Sequence, residues 1–285
     1  MIKILKTIHD HVNSESYCAH SGRVISSNCV LDFRLNHPQE ITSVIKEEGF
    51  AIVNCKGYSM LDTLRLIKKT LGFPIKNGAC GREGYLTKII NTDVKGCVNT
   101  YTASAYSEPL HTDGADSASL PRFVSFFCIK SSGTGGVSTI VKVNELLITL
   151  QQLFGQEVDQ LFKKDFMQID TMYGRNIKKQ VLFNLDEKNV GMLFWPVMFN
   201  VKTSETGYKI LAYINDYIHN PENQYRFKLK ENELLILDNC KVLHSRTAFD
   251  PIDNRCLIRI WHEDLDPVRL TDKHAANSNG HVGCN

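Results

Sequence analysis

The sequence predicts an α+β protein, mainly β, with a jelly-roll core and flanking helices. Residues 225–261 form a series of four short strand-like runs separated by polar turns, which is the pattern of a β-sandwich that folds back on itself. Residues 122–130, Arg-Phe-Val-Ser-Phe-Phe-Cys-Ile-Lys, are the strongest strand in the chain, dense in aromatic and β-branched side chains. Four other stretches carry apolar residues at helical spacing, so helices are expected to cover the sheets.

In chain order, strands are expected near residues 23–25 and 30–33. Pro38 opens a helix that runs through Glu48, with Ile41, Val44 and Ile45 on one face and Gly49 as its stop. Residues 50–55 read as a buried strand, and residues 60–71 as a second helix with Leu61, Leu64 and Ile67 on one side. Residues 76–84 are Gly-rich without a GxGxxG or other phosphate-cradling pattern, so they predict a loop and no nucleotide site. Strands follow at 85–90 and 97–101, then an approach loop over 103–109 that contains Tyr106 and delivers His111. After strand 122–130, a turn over 131–136 leads into a strand at 137–141. Residues 143–162 predict one helix packed by Leu146, Leu147, Leu150 and Leu153. Residues 164–204 are irregular; their Met172-Tyr173-Gly174-Arg175 and Phe194-Trp195-Pro196 are candidates for substrate contact, with core packing the alternative for the aromatics. Ser204 caps a helix reaching to His219, and the strands 225–229, 233–237, 242–246 and 256–261 complete the core. Residues 271–285 are polar and Gly-rich, a tail outside a single domain spanning 1–270, and His274 and His281 in it read as exposed side chains.

Composition narrows the function classes. The 285 residues, 42% hydrophobic and 22% charged, are ordinary for a globular protein able to bury a sizeable core. A net charge of +2 with scattered basic residues gives no reason to expect nucleic acid. No apolar run reaches the length of a membrane span, and Met-Ile-Lys-Ile-Leu-Lys is not followed by a signal-peptide core, so a cytoplasmic protein with a small-molecule substrate is expected; a homo-oligomer is left open. Nine cysteines without a Cys-x-x-Cys argue against a disulfide framework or a zinc ribbon.

The chemistry resides in two separated stretches. His111-Thr112-Asp113 places two ligand types one residue apart, and at a strand end such a pair points to one side. By itself His-x-Asp is common and reads as a surface pair. Joined to Asp238-Asn239, His244-Ser245-Arg246, Arg255 and Arg259-Ile-Trp261, it becomes one face of a metal centre with His244 as the third ligand. Two imidazoles and one carboxylate leave three positions open, which suits Fe(II) and oxygen. Zinc accepts the same ligands but gains nothing from Arg255, a planar fork eleven residues after His244 that is suited to gripping a carboxylate at two points.

These residues resemble the Fe(II)/2-oxoglutarate-dependent dioxygenases of the taurine dioxygenase and clavaminate synthase superfamily. His111-Thr112-Asp113-Gly114 is similar to the proximal ligand motif and residues 238–261 to the distal one, with a shared layout from about residue 40 to 264. The resemblance implies a double-stranded β-helix core with an insertion between the two halves of the metal motif. It also implies Fe(II) on His111, Asp113 and His244, with 2-oxoglutarate and O2 as co-substrates. Arg255 would pair the far carboxylate of 2-oxoglutarate, assisted by Ser138 after the Gly135-Gly136 pair, with Thr139 as its rival. Arg259, on the same strand face as Arg255, would read an acidic group of an anionic or zwitterionic substrate such as an amino acid; the structural alternative is an ion pair with Asp238 or Glu263. The implied reaction is an oxidation, foremost a hydroxylation, with release of succinate and CO2. A desaturating or decarboxylating oxygenase of isonitrile biosynthesis and a non-catalytic binding protein of the same fold are the alternatives. Halogenation is disfavoured because Asp113 stands where halogenases have Gly or Ala.

Overall fold

The computed structural model describes residues 22–76, 85–90, 104–115, 120–170, 176–195 and 202–263. The expected strand at 97–101, the motif 172–175 and the tail lie outside these residues.

The chain enters through a short strand β1 (Val30–Asp32), helix α1 (Pro38–Glu48), strand β2 (Phe50–Asn54), helix α2 (Met60–Leu71), and strands β3 (Pro74–Ile75) and β4 (Thr87–Ile90). Each helix has a local reason to start where it does. In α1, Pro38 stands in the first turn and the Glu40 carboxylate accepts from the His37 amide at 3.2 Å. In α2, the Ser59 hydroxyl accepts from the Asp62 amide at 3.2 Å. The expected strand at 23–25 is reduced to a single bridge between Arg23 and Tyr225.

Next come strands β5 (Glu108–His111), β6 (Phe123–Lys130) and β7 (Ser138–Lys142), then helix α3 (Val143–Phe154). Gly155, at φ +54°, ends α3, and residues Gly155–Phe162 continue as a 3-10 segment, so the single helix expected over 143–162 is two pieces. The stretch read as irregular contains two hairpins, β8 (Met167–Asp170) with β9 (Asn176–Lys179), and β10 (Leu182–Asn184) with β11 (Val190–Met192). Helix α4 (Glu205–His219) is capped by Ser204, and strands β12 (Tyr225–Phe227), β13 (Glu233–Asp238), β14 (Val242–Arg246) and β15 (Cys256–His262) close the fold.

Among the described residues the strands form two principal sheets. The larger has the order β1-β2-β13-β6-β15-β3, with β4 also on β15; the smaller has the order β12-β7-β14-β5. Between them lies a core to which both contribute: Phe50, Val124, Phe126, Leu235, Leu257 and Trp261 from one sheet, Ile140 and Val242 from the other. Ile41, Ile45, Leu66 and Ile67 of α1 and α2 cover the outer face of the larger sheet. Leu146 and Leu150 of α3, with Ile210 and Ile214 of α4, cover Leu110, Val141 and Leu243 on the outer face of the smaller. The result is a mixed α+β architecture with three buried layers of apolar contact, each large aliphatic or aromatic side chain adding about 1.5–3 kcal/mol by leaving water. No helix among the described residues is long and apolar enough to cross a membrane.

The turn between β6 and β7 fixes how β7 enters the site. Gly135 and Gly136 both have positive φ, +55° and +65°, and the Gly136 amide donates to the Ala248 carbonyl at 3.0 Å. A Cβ on Gly135 would stand 1.9 Å from the Ala248 oxygen, so no side chain fits without moving backbone. Gly135→Ala is expected to lower unfolding free energy by about 1–3 kcal/mol in urea titration, and an unchanged midpoint would show that this close approach is not needed.

Candidate active site

His111 ends β5, and Asp113 follows it in a turn. His244 is in the middle of β14, directly opposite His111 in the antiparallel register. The pairing brings the rings to 4.4 Å between centroids, and candidate ligand atoms of His111, Asp113 and His244 all lie within 4.8 Å of one another. All three residues are buried. The ligand pair is also anchored from the insertion: the Thr112 amide donates to the Phe194 carbonyl at 2.8 Å, and the Thr112 hydroxyl to that of Met192 at 3.0 Å.

The donor set fits a divalent first-row metal. His111 Nδ1 lies 2.8 Å from the Pro109 carbonyl, which can only accept, so Nδ1 carries the hydrogen and Nε2 is left to face Asp113 Oδ1 at 3.2 Å. Burial alone would depress the basicity of His111, but the hydrogen bond to Asp113 and the charge of Glu108 raise its pKa above the usual value. For His244, burial and then the like charge of His111 lower the pKa to about 4, so the imidazole is neutral at ordinary pH. His244 Nδ1 is buried with no hydrogen-bond partner among the described residues. Burial opposes ionisation of Asp113, but the Arg259 guanidinium and His111 hold its carboxyl well below the usual carboxylate range. A neutral imidazole and a fixed carboxylate are the forms a metal requires.

Arg259 donates from Nη1 to both oxygens of Asp113, at 3.1 and 3.3 Å. Neither expected ion pair is made, and Asp238 is held instead by Arg122 at 2.7 Å. In this structure the Arg259 guanidinium meets the carboxylate of Asp113 in place of either expected partner. Two further supports belong to the downstream motif but were given no role by the sequence. Trp261 Nε1 donates to Asp113 Oδ2 at 2.9 Å. Asn239 accepts from the Asp113 amide at 2.9 Å and donates to its carbonyl at 3.0 Å. The signal for Trp261 was its place two residues after Arg259, on the same face of β15.

Beside the metal ligands lies a cavity lined by Glu108, Phe126, Ser138, Ile140, His244, Arg246, Arg255 and Leu257, among others. Strand alternation puts Ser138 on the inward row with Ile140, while Thr139 shares the row of Val141, although its atoms also border the space. Arg255, 5% exposed, has the Phe249 ring 5.4 Å from its guanidinium carbon and no hydrogen-bond or ion-pair acceptor among the described residues. Burial, and then the like charge of Arg246, bring its pKa down to about 10, which leaves it charged at neutral pH. Trp195 meets His111 edge-on at 5.2 Å, whereas Tyr106 is 67% exposed and does not line the cavity.

A two-histidine, one-carboxylate centre between two β-sheets, with a buried arginine beside it, defines a non-haem metal oxygenase-like protein. The chain belongs to the TauD/TfdA family, described as taurine catabolism dioxygenase, whose pattern matches residues 36–261. It is 26% identical over 175 residues to 3-((Z)-2-isocyanoethenyl)-1H-indole synthase of Fischerella ambigua (strain UTEX 1903), a match covering 53% of this chain and 62% of that protein. The matched segment therefore spans less than two thirds of that relative. Among solved structures, an asparagine oxygenase in complex with Fe(II), 3-hydroxyasparagine and succinate is similar at a TM-score of 0.64 and 17% identity, over 79% of this chain and 78% of that one. PvcB of Pseudomonas aeruginosa, described as an Fe, alpha-ketoglutarate dependent oxygenase from an isonitrile synthetic pathway, is similar at 0.58 and 17% over 82% of both chains. OrfP with Fe and alpha-ketoglutaric acid is similar at 0.60 and 12% over 79% of both. At these identities the likeness is one of fold.

If Trp261 orients Asp113, Trp261→Phe is expected to weaken Mn(II) binding about 10- to 100-fold in an anaerobic titration. A dissociation constant within twofold of the parent would exclude that role.

Proposed function

We propose that the protein is an Fe(II)/2-oxoglutarate-dependent oxygenase that oxidises, foremost by hydroxylation, an amino acid or amino-acid derivative, releasing succinate and carbon dioxide. The observation that carries this reading is Arg255. A buried guanidinium with no acceptor among the described residues is costly unless a ligand supplies the anion. The cavity it shares with His244 lets one dicarboxylate reach both the arginine and the metal ligands.

In this reading His111, Asp113 and His244 hold the iron, which together with 2-oxoglutarate and oxygen supplies the oxidising power when bound. Arg255 grips the far carboxylate through its fork, and Ser138 adds a hydroxyl from β7, in preference to Thr139. Phe126, Ile140, Leu235 and Leu257 line the space with apolar atoms and keep bulk water from it. Arg259 and Trp261 hold Asp113 ionised and oriented, and Trp195 borders the side where substrate enters. Tyr106 is left as a contact at the rim. We read the two sheets as a jelly-roll, and residues 1–270 as one oxygenase domain followed by a tail; the family match over 36–261 and the folds of the similar structures support this.

A second reading has its own support. The similarity to an isocyanoethenyl-indole synthase favours desaturation or decarboxylation of an isonitrile-bearing amino acid over hydroxylation. The two differ in what the substrate radical does next, and product mass separates them: a gain of one oxygen for hydroxylation, a loss of two hydrogens, alone or together with carbon dioxide, for the other. A binding protein without turnover has no use for the three ligands together with Arg255.

Anaerobic Fe(II) plus 2-oxoglutarate is expected to give a visible charge-transfer band that His111→Ala and His244→Ala abolish; an undiminished band in either variant would sink the assignment. Arg255→Lys keeps the charge and loses the fork, so 2-oxoglutarate affinity is expected to fall about 10- to 100-fold, the equivalent of about 1.5–3 kcal/mol. Binding as tight as the parent's would remove Arg255 as the anchor.

A further inference from the structure

A buried guanidinium kept ready for an anion poses a problem of its own. Any carboxylate or carbonyl that steadied it by hydrogen bonds would occupy the N–H donors that the ligand needs. An aromatic ring avoids the conflict, because its negative face attracts a cation without accepting those bonds. Such a ring stands beside Arg255, whose guanidinium carbon lies over Phe249, 5.4 Å from the centroid.

Phe249 is buried and fixed through its backbone. Its amide donates to the Ala105 carbonyl at 3.0 Å, and it forms a bridge with Gly135 in the turn that leads into β7. The stem of Arg255 lies against the next residue of that turn, since a Cβ on Gly136 would stand 3.3 Å from Nε and 3.4 Å from Cδ. The glycine pair thus brings one turn against both the ring and the arginine.

The same ring meets a second arginine of the cavity, with the Arg246 guanidinium carbon 4.9 Å from its centroid. Arg246 has polar partners: it donates to the Ser104 carbonyl at 3.1 Å. A register shift in β5 also sets it opposite Glu108, on whose carboxylate it acts electrostatically. On Arg255 it acts as a like charge. Arg246 is therefore fixed through its donors, while Arg255, pushed by that charge, rests on Phe249.

We propose that Phe249 is a positioning residue for the co-substrate: it holds the Arg255 guanidinium beside Arg246 and leaves its N–H donors to the far carboxylate of 2-oxoglutarate. This rests on the oxygenase reading and deepens it. Selection of a dicarboxylate is assigned to arginine and ring together, although Phe249 does not itself line the cavity.

The test uses the full chain loaded anaerobically with Mn(II) and two ligands, 2-oxoglutarate and 2-oxopentanoate. The second has the same five carbons with a methyl group in place of the far carboxylate. Dissociation constants come from calorimetric titration, the weaker ligand being read by competition. The parent should prefer 2-oxoglutarate at least tenfold. Phe249→Leu keeps an apolar filling and loses the ring; it should weaken 2-oxoglutarate about 5- to 30-fold, the range of a desolvated cation–π contact, and leave 2-oxopentanoate within twofold. Phe249→Tyr keeps the ring and should stay within about threefold of the parent for both. A general disturbance of packing would weaken both ligands alike. That result in Phe249→Leu, or an affinity for 2-oxoglutarate within twofold of the parent, would overturn the proposal. If Phe249→Leu folds poorly, phenylalanines carrying one, two and three ring fluorines at position 249 keep the shape and weaken the negative face. Affinity for 2-oxoglutarate should then fall with each fluorine, and a flat series would overturn the proposal. A parent that binds both ligands equally would remove Arg255 as the anchor, and a loaded chain that binds neither would remove the oxygenase reading; either takes this proposal with it.

Discussion

The structure depends on keeping one carboxylate charged in a place that water does not reach. Removing Asp113 from solvent costs several kcal/mol, and the fold offsets this with Arg259, Trp261 and His111 on its oxygens. At about 1.5–3 kcal/mol for each charge-assisted bond, three such contacts match the cost without a large surplus. That balance makes the carboxylate a fixed ligand and not merely a tolerated one. Arg259 and Trp261 belong to β15 in the larger sheet, while Asp113 follows β5 in the smaller. The centre therefore exists only when the two sheets are packed face to face, and the apolar layer between them is as much a part of it as the ligands.

The insertion is tied to the same centre from the other side. Thr112 stands between the two ligands of the first motif and takes its partners from Met192 and Phe194, so the hairpin β10–β11 is fastened to the ligand turn by main-chain and hydroxyl bonds. A segment anchored in this way couples its backbone directly to the turn that carries His111 and Asp113.

Much of this was legible in the sequence, and the failures have physical causes. The helix from Pro38, the strand at 123–130 and the C-terminal strands were readable because caps, β-branched density and alternation all agreed. That His111, Asp113 and His244 come together was readable because residue type and spacing, joined to the downstream motif, suit one face of a metal site. The approach to His111 was read as a loop because Glu-Pro-Leu-His lacks strand propensity; it is a strand because the edge of β14 supplies the pairing. The helix expected through residue 162 breaks at Gly155, whose positive φ outweighs a continuous apolar stripe. Arg259 was placed on the correct face, but its ion pair is with Asp113 and not with Asp238 or Glu263, since strand periodicity reports direction and not which anion waits there. Glu108 was invisible for a related reason: strict alternation turns it away from His111, and only a bulge brings it back.

The strand order also governs when the centre can come into being during synthesis. His111 and His244 are neighbours across a ladder, yet more than a hundred residues separate them in the chain, and β2 likewise waits for β13. Pairings of such long range are slow to form because loop closure precedes any contact that rewards it. The nascent chain exposes β5 and β6 to the ribosome's surroundings while their partners are still unmade, so the hydrophobic run of β6 depends on chaperones or on speed to escape association. The third side of the metal face, His244, is not made until β14 emerges. The complete three-residue face therefore belongs to the late part of the fold and is not available as the nucleus around which the two sheets assemble.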